Sequence, residues 1–130
     1  ARQAGPSTVV TDAAIVEDVA GVAFAHLMLD GDVEADGVSE AGDRLFAERL
    51  SGNGVVAVFG PVALLIKVGG RALEAGIDAG KLVVGAAEIT GGKGGGRREL
   101  GRGKVGDPSK REAAVALLRT AIVDAMGNAA

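Results

Sequence analysis

Apolar and polar positions change period along this 130-residue chain, and glycine-bearing turns mark most of the changes. Residues 1–8 carry Gly5, Pro6 and Ser7 without an apolar period, so residues 1–18 read as an incoming linker or boundary segment. From Val19 to Leu29 apolar residues dominate, and an extended chain would put Val22, Phe24, His26 and Met28 on one face; this predicts a strand that stops at Asp30, Gly31 and Asp32. Val38, Ala41, Leu45, Phe46 and Leu50 then recur at helical intervals behind Ser39 as N-cap, until Gly52, Asn53 and Gly54 end the run. Val55–Phe59 and Val62–Val68 are aliphatic runs parted by Gly60 and Pro61, the pattern of a hairpin between two buried strands.

Beyond Gly69 and Gly70, a short helical turn from Arg71 to Ala75 closes at Gly76, and Asp78 caps a longer helix with Leu82, Val83, Ala86 and Ile89 as its seam. Eight of the sixteen residues from Gly91 to Gly106 are glycine, a density that predicts a loop. Asp107, with Pro108 at the favoured first position, starts a last helix whose buried face is Ala114, Leu118, Ala121, Ile122 and Ala125. The order strand, helix, strand, strand, helix, loop, helix predicts an α/β domain over residues 19–130, a mixed β-sheet with helices packed on it.

Composition narrows the chemistry. With three Phe, no Trp and no Tyr, the core must be built from Ala, Val, Leu and Ile. The absence of cysteine excludes disulfides and thiolate metal sites, and a single histidine cannot assemble a His-rich zinc set. Apolar runs fall far short of the ~20 residues that span a bilayer. No basic segment leads into an apolar signal, so the chain reads as a cytoplasmic piece of a longer protein with no membrane partner.

The formal charge of -3 conceals a dipole: residues 1–66 hold three basic and ten acidic side chains, residues 67–130 eleven basic and seven acidic. Between residues 91 and 111, Lys93, Arg97, Arg98, Arg102, Lys104, Lys110 and Arg111 stand against only Glu99 and Asp107. Such a local excess attracts anions whatever the total charge.

The run Gly91-Gly92-Lys93-Gly94-Gly95-Gly96-Arg97-Arg98 combines unshielded backbone N–H groups with three cations, a combination suited to cradling phosphate. A flexible, solvated loop is the competing reading. Residues 101–106 satisfy G-x-G-x-x-G, but no hydrophobic strand precedes them and no second strand with an acidic end follows, so a dinucleotide site is rejected. Residues 76–81, GIDAGK, are one residue short of a P-loop and lead into Leu82 instead of Ser or Thr. His26 has no serine or aspartate arrangement around it and reads as a packed or sheet-edge histidine. Asp30, Asp32, Glu34 and Asp36 lack the EF-hand spacing and read as a solvated turn. Phe24, Phe46 and Phe59 lie on apolar faces, which leaves no aromatic platform for stacking bases; contact with the sugar–phosphate backbone of a folded RNA remains.

The stretch Ala72–Lys110, with Ala79-Gly80-Lys81-Leu82-Val83, the glycines from Gly91 to Arg97, and Asp107-Pro108, resembles the C-terminal domain of alanyl-tRNA synthetases. The helix from Ser39 to Leu50 and the hairpin from Val55 to Val68 follow the same order, so the resemblance covers residues 20–126. After Arg97 that family continues with Pro-Asp-Met-Ala-Gln and a glycine pair, where this chain has Arg98-Glu99-Leu100-Gly101-Arg102-Gly103.

The resemblance implies the domain type associated with DHH phosphoesterases, non-catalytic here, that contacts the tRNA elbow and joins aminoacylation and editing modules. The local excess of basic side chains points to Lys93, Arg97, Arg98, Arg102 and Lys104 as phosphate contacts, with Gly92, Gly94, Gly95 and Gly96 permitting approach. The resemblance implies no cofactor in this segment, ATP and zinc being expected in upstream domains of the parent, and tRNA and those upstream domains as partners. Two alternatives stand beside it: an assembly module that makes the parent a homodimer through the apolar sheet edge or the last helix, and the substrate-binding half of a DHH-type phosphoesterase.

Overall fold

The computed structural model describes residues 14–31 and 33–128. A six-stranded mixed sheet runs through it: β1 (Ile15–Val19), β2 (Val22–Met28), β3 (Gly54–Phe59), β4 (Ala63–Gly69), β5 (Gly94–Gly96) and β6 (Leu100–Lys104), in the spatial order β1-β2-β3-β4-β6-β5. Helix α1 (Ala35–Glu48) connects β2 to β3, which pair in parallel; every other neighbouring pair is antiparallel. The remaining helices are α2 (Arg71–Glu74), α3 (Ala79–Ile89) and α4 (Arg111–Asn128), the last entered through a 3₁₀ turn at Pro108–Lys110.

Strand alternation produces two cores. On one face Phe24, Val55, Ala57, Phe59, Leu64 and Ile66 pack against α3 and α4; on the other Ala25, Leu27, Val56, Val58 and Leu65 pack against α1 through Val38, Ala41 and Leu45. Every residue of β3 is therefore buried, which is why Val55–Phe59 reads as one unbroken apolar run.

The hairpin of β3 and β4 forms as the sequence predicts, with Gly60 N–H donating to Ala63 C=O at 2.7 Å. Asp78 caps α3 through the Lys81 N–H, and Asp107 caps the last helical segment through the Ser109 N–H. Helix α1 begins at Ala35 with no side-chain cap, so Ser39 lies inside the helix and is not its N-cap.

Two predicted segments differ more. Residues 15–18, placed in the boundary segment, belong to strand β1, which joins β2 through Ala20 and Gly21 at φ 54° and 86°. Two successive left-handed residues match the twist of a tight hairpin, and the Gly21 N–H donates to Asp18 at 2.8 Å. Alanine in the first of those positions hides the turn from sequence reading. The rest of the boundary segment, residues 1–13, lies outside the described residues. The glycine-rich stretch, predicted as a loop, supplies β5 and β6, and β6 is an interior strand paired with β4 along Lys67–Ala63.

Candidate nucleic-acid interface

The basic segment sits at the open β5 edge of the sheet, and close backbone approach, between its own two strands and against α3, explains most of its glycines. Helix α3 lies over β6 so closely that a Cβ on Gly101 would stand 2.7 Å from the Ala79 carbonyl oxygen and 2.9 Å from Val83 Cγ1. A Cβ on Gly103 would meet the Lys93 oxygen at 2.8 Å, one on Gly92 would collide with the Lys104 oxygen, and one on Gly96 with the Leu100 oxygen. Gly94 is tight as well, with three neighbours at 3.2 Å, Val83 Cγ1 among them. Glycine here lets a helix and a two-strand ribbon approach backbone to backbone.

Gly95 is the exception. A Cβ there would meet nothing within 4 Å, and its φ lies outside the left-handed region. In the ladder it stands opposite Arg102, so both residues project to the face turned away from α3. Lys104 N–H donates to Lys93 C=O at 2.7 Å and Arg97 N–H to Leu100 C=O at 2.8 Å. Antiparallel pairing alternates, so Gly95 turns its backbone groups toward β6, while Gly94 and Gly96 direct their N–H groups outward from the sheet edge.

Lys93, Arg102 and Lys104 are exposed, and together with Gly94, Gly95 and Gly103 they line one open depression on this face. Leu100, which precedes the two β6 cations on the same side of the strand, anchors the ribbon by packing into the α1-side core. Three of the five predicted cations are thus brought together around the accessible glycine.

Arg97 and Arg98 are held differently. Their carbonyl oxygens accept from the N–H groups of Gly80 and Ala79, both at 2.8 Å, and so close the N-terminus of α3. The Arg97 side chain faces Glu99 at 3.4 Å while staying mostly in solvent, and Arg98 Nη2 donates to Leu73 C=O at 3.3 Å. The backbone of this pair secures the helix, and its guanidinium groups do not line the depression. Lys110 lies exposed after the cap at Asp107, whose carboxyl is held below its ordinary range by hydrogen bonds from Ser109. Arg111 turns inward, donating to Leu29 C=O at 2.9 Å and pairing with Asp30 at 2.7 Å. It ties the end of β2 to α4, and Asp30 thereby supplies a structural ion pair.

His26 is buried, and its Nε2 lies 2.7 Å from Glu17 Oε2. Arg119 reaches the same carboxylate with two hydrogen bonds at 2.9 and 2.8 Å. That fork, opposed by partial burial and aided by His26, lowers the Glu17 pKa to about 2. The trio joins β1, β2 and α4. Arg119 lies 102 positions from Glu17, and Glu17 stands in the segment that reads as a linker, so only the fold reveals the trio. Lys81 is a site residue that sequence reasoning does not single out: it ends the rejected GIDAGK run and belongs to the AGKLV motif of the resemblance, whereas its side chain is exposed beside the glycine edge. Among the described residues, no group of three or more His, Cys, Asp or Glu is placed to hold a metal ion, and no helix is long and apolar enough to cross a membrane.

Comparison with known proteins adds to this geometry. The chain is 38% identical over 115 residues to an alanine–tRNA ligase from Acidothermus cellulolyticus (81% of this chain, 12% of that protein). It is 35% identical over 119 residues to the alanine–tRNA ligase from Acidithiobacillus ferridurans (88% of this chain, 13% of that protein). It therefore spans about an eighth of the length of these curated relatives. Among solved structures, the C-Ala domain from Aquifex aeolicus alanyl-tRNA synthetase superposes with a TM-score of 0.74 at 21% identity, over 84% of this chain and 98% of that one, a likeness of fold. The model of the DHHA1 domain matches residues 20–124, from the β1–β2 turn to the last turns of α4, and the chain belongs to that domain family.

Proposed function

We propose that this chain is the C-terminal, non-catalytic domain of an alanyl-tRNA synthetase and contacts the sugar–phosphate backbone of tRNA at its elbow. The observation that carries the reading is the cluster of Lys93, Arg102 and Lys104 around the glycine edge, three exposed cations lining one depression. Lysine and arginine beside exposed backbone N–H groups bind phosphate oxygens without reading bases, which suits a shape-dependent contact with folded RNA. Arg97 and Arg98 add charge nearby, and Gly92, Gly94 and Gly96 permit the approach indirectly, by letting the backbone of the ribbon fold closely on itself, with Gly94 also making room for Val83 of α3.

Aminoacylation and editing belong, in this reading, to other parts of the parent protein, which acts in the cytoplasm and uses ATP and zinc there; this domain needs no cofactor of its own. Charge reversal at Lys93 and Arg97 is expected to abolish tRNA binding while the circular dichroism spectrum stays unchanged. Unaltered affinity in that folded variant would refute the reading.

One observation favours assembly as a second role: Ile15 and Val16, on edge strand β1, are 56% and 39% exposed, and Val123 on α4 is 49% exposed. Light scattering across a concentration series separates the two, because self-association without RNA affinity supports assembly alone.

A further inference from the structure

We infer that Lys81 is a further phosphate-binding residue, and that the RNA backbone crosses the sheet edge at Gly95 between two cationic banks; the inference rests on the tRNA-contact reading above. Two open depressions meet at this edge. One is lined by Lys93, Gly94, Gly95, Arg102, Gly103 and Lys104, the other by Asp78, Gly80, Lys81, Val84, Gly95 and Gly96. Gly95 belongs to both. It forms the crest between a bank of three cations on the sheet face and Lys81 on the helix side.

Lys81 is the third residue of α3 and is exposed, and among the described residues no carboxylate is within ion-pair distance of its ammonium group. The acid in that depression, Asp78, already accepts the Lys81 backbone N–H at 3.1 Å as the helix cap. The N-terminal amides of Ala79 and Gly80 are closed by the Arg98 and Arg97 carbonyls. The lysine side chain is therefore the group on that bank able to take an anion.

The crest has the shape such a crossing needs. Packing demands glycine at 92, 96, 101 and 103 and favours it at 94, whereas nothing in the fold demands it at 95, where a side chain would rise into open space. A missing side chain at that point keeps the path between the banks clear. On either side of it, Gly94 and Gly96 turn their N–H groups outward, two donors that phosphate or ribose oxygens can use.

The test is titration of whole tRNA with the chain over a range of salt, comparing wild type with Lys81→Ala, Gly95→Leu and a triple variant in which Lys93, Arg102 and Lys104 are alanine. Lys81→Ala should weaken binding by about threefold and reduce the log–log salt slope by about one phosphate. Gly95→Leu should weaken it by more than about tenfold while retaining the wild-type urea midpoint, because the blocked crest costs several contacts together. If the triple variant loses tRNA while Lys81→Ala and Gly95→Leu keep wild-type affinity and slope, the crossing at Gly95 is overturned and the basic face stands alone. If wild type does not bind whole tRNA, the underlying reading falls and the crossing with it. Lys81→Ala changes one exposed side chain, so the test holds even where Gly95→Leu disturbs the ribbon.

Discussion

Replacing Gly101 or Gly95 with alanine separates the glycines that the fold requires from the one it leaves free. At Gly101 the new methyl would lie 2.7 Å from the Ala79 oxygen, 2.9 Å from Val83 Cγ1 and 3.1 Å from the Ala79 carbonyl carbon. Two of the three obstacles are backbone, and the helix cannot slide away freely because Ala79 N–H is bonded to Arg98 C=O at 2.8 Å. Overpacking of this kind costs about 1–3 kcal/mol, offset by about 0.4–1 kcal/mol from the reduced freedom of the unfolded chain. The net expectation is a loss of roughly 1–2 kcal/mol. At Gly95 there is no obstacle and only the unfolded-state term remains, a gain of about 0.4–1 kcal/mol. With a urea slope of about 1.5 kcal/mol per molar, the midpoint should fall by about 1 M for Gly101→Ala and rise by a few tenths of a molar for Gly95→Ala. Equal midpoints for the two variants, or a Gly101→Ala protein as stable as wild type, would refute the claim that α3 packing sets glycine at 101.

Glu17→Gln should remove a pH-dependent contribution to stability. The native carboxyl titrates at about 2 against an ordinary 4.5, so its stabilisation is fully present above about pH 4.5 and is lost as pH falls toward 2. Its ion-pair partner Arg119 is 42% exposed, so about 1–2 kcal/mol is expected, read as a flatter pH dependence of the urea midpoint between pH 4.5 and 2 in the variant. Arg111→Ala should cost about 1.5–3 kcal/mol by leaving the Leu29 carbonyl without its charged donor, measured in the same denaturation. Asp78→Ala should lower stability by about 1 kcal/mol through loss of the α3 cap, with helix content by circular dichroism reduced only slightly.

The parts of the fold that can be read from sequence are those where local signals agree with tertiary ones. The β3–β4 hairpin, the Asp78 and Asp107 caps and the buried stripe of α4 each combine periodicity with a fitting turn or cap residue. Strand β1 escapes because Ile15-Val16-Glu17-Asp18 is half polar and its turn opens on alanine. Strands β5 and β6 escape because glycine has little intrinsic preference for a strand, and their stability comes from pairing with β4 and packing under α3, contacts that no local window contains. The site divides along the same line. The cations at 93, 97, 98, 102 and 104 are legible as a charge cluster, but sequence cannot show that 93, 102 and 104 share a depression while the backbone of 97 and 98 closes a helix. It also treats all the glycines alike, whereas the structure separates Gly95 from the rest.

Contact with the tRNA elbow is read by titrating labelled whole tRNA with this chain at several salt concentrations, beside a minihelix that keeps the acceptor stem and lacks the elbow. Binding to whole tRNA should be salt-sensitive, with a log–log slope counting the phosphates neutralised, and the minihelix should show no comparable binding. Equal affinity for both RNAs, or binding to neither, would contradict that contact.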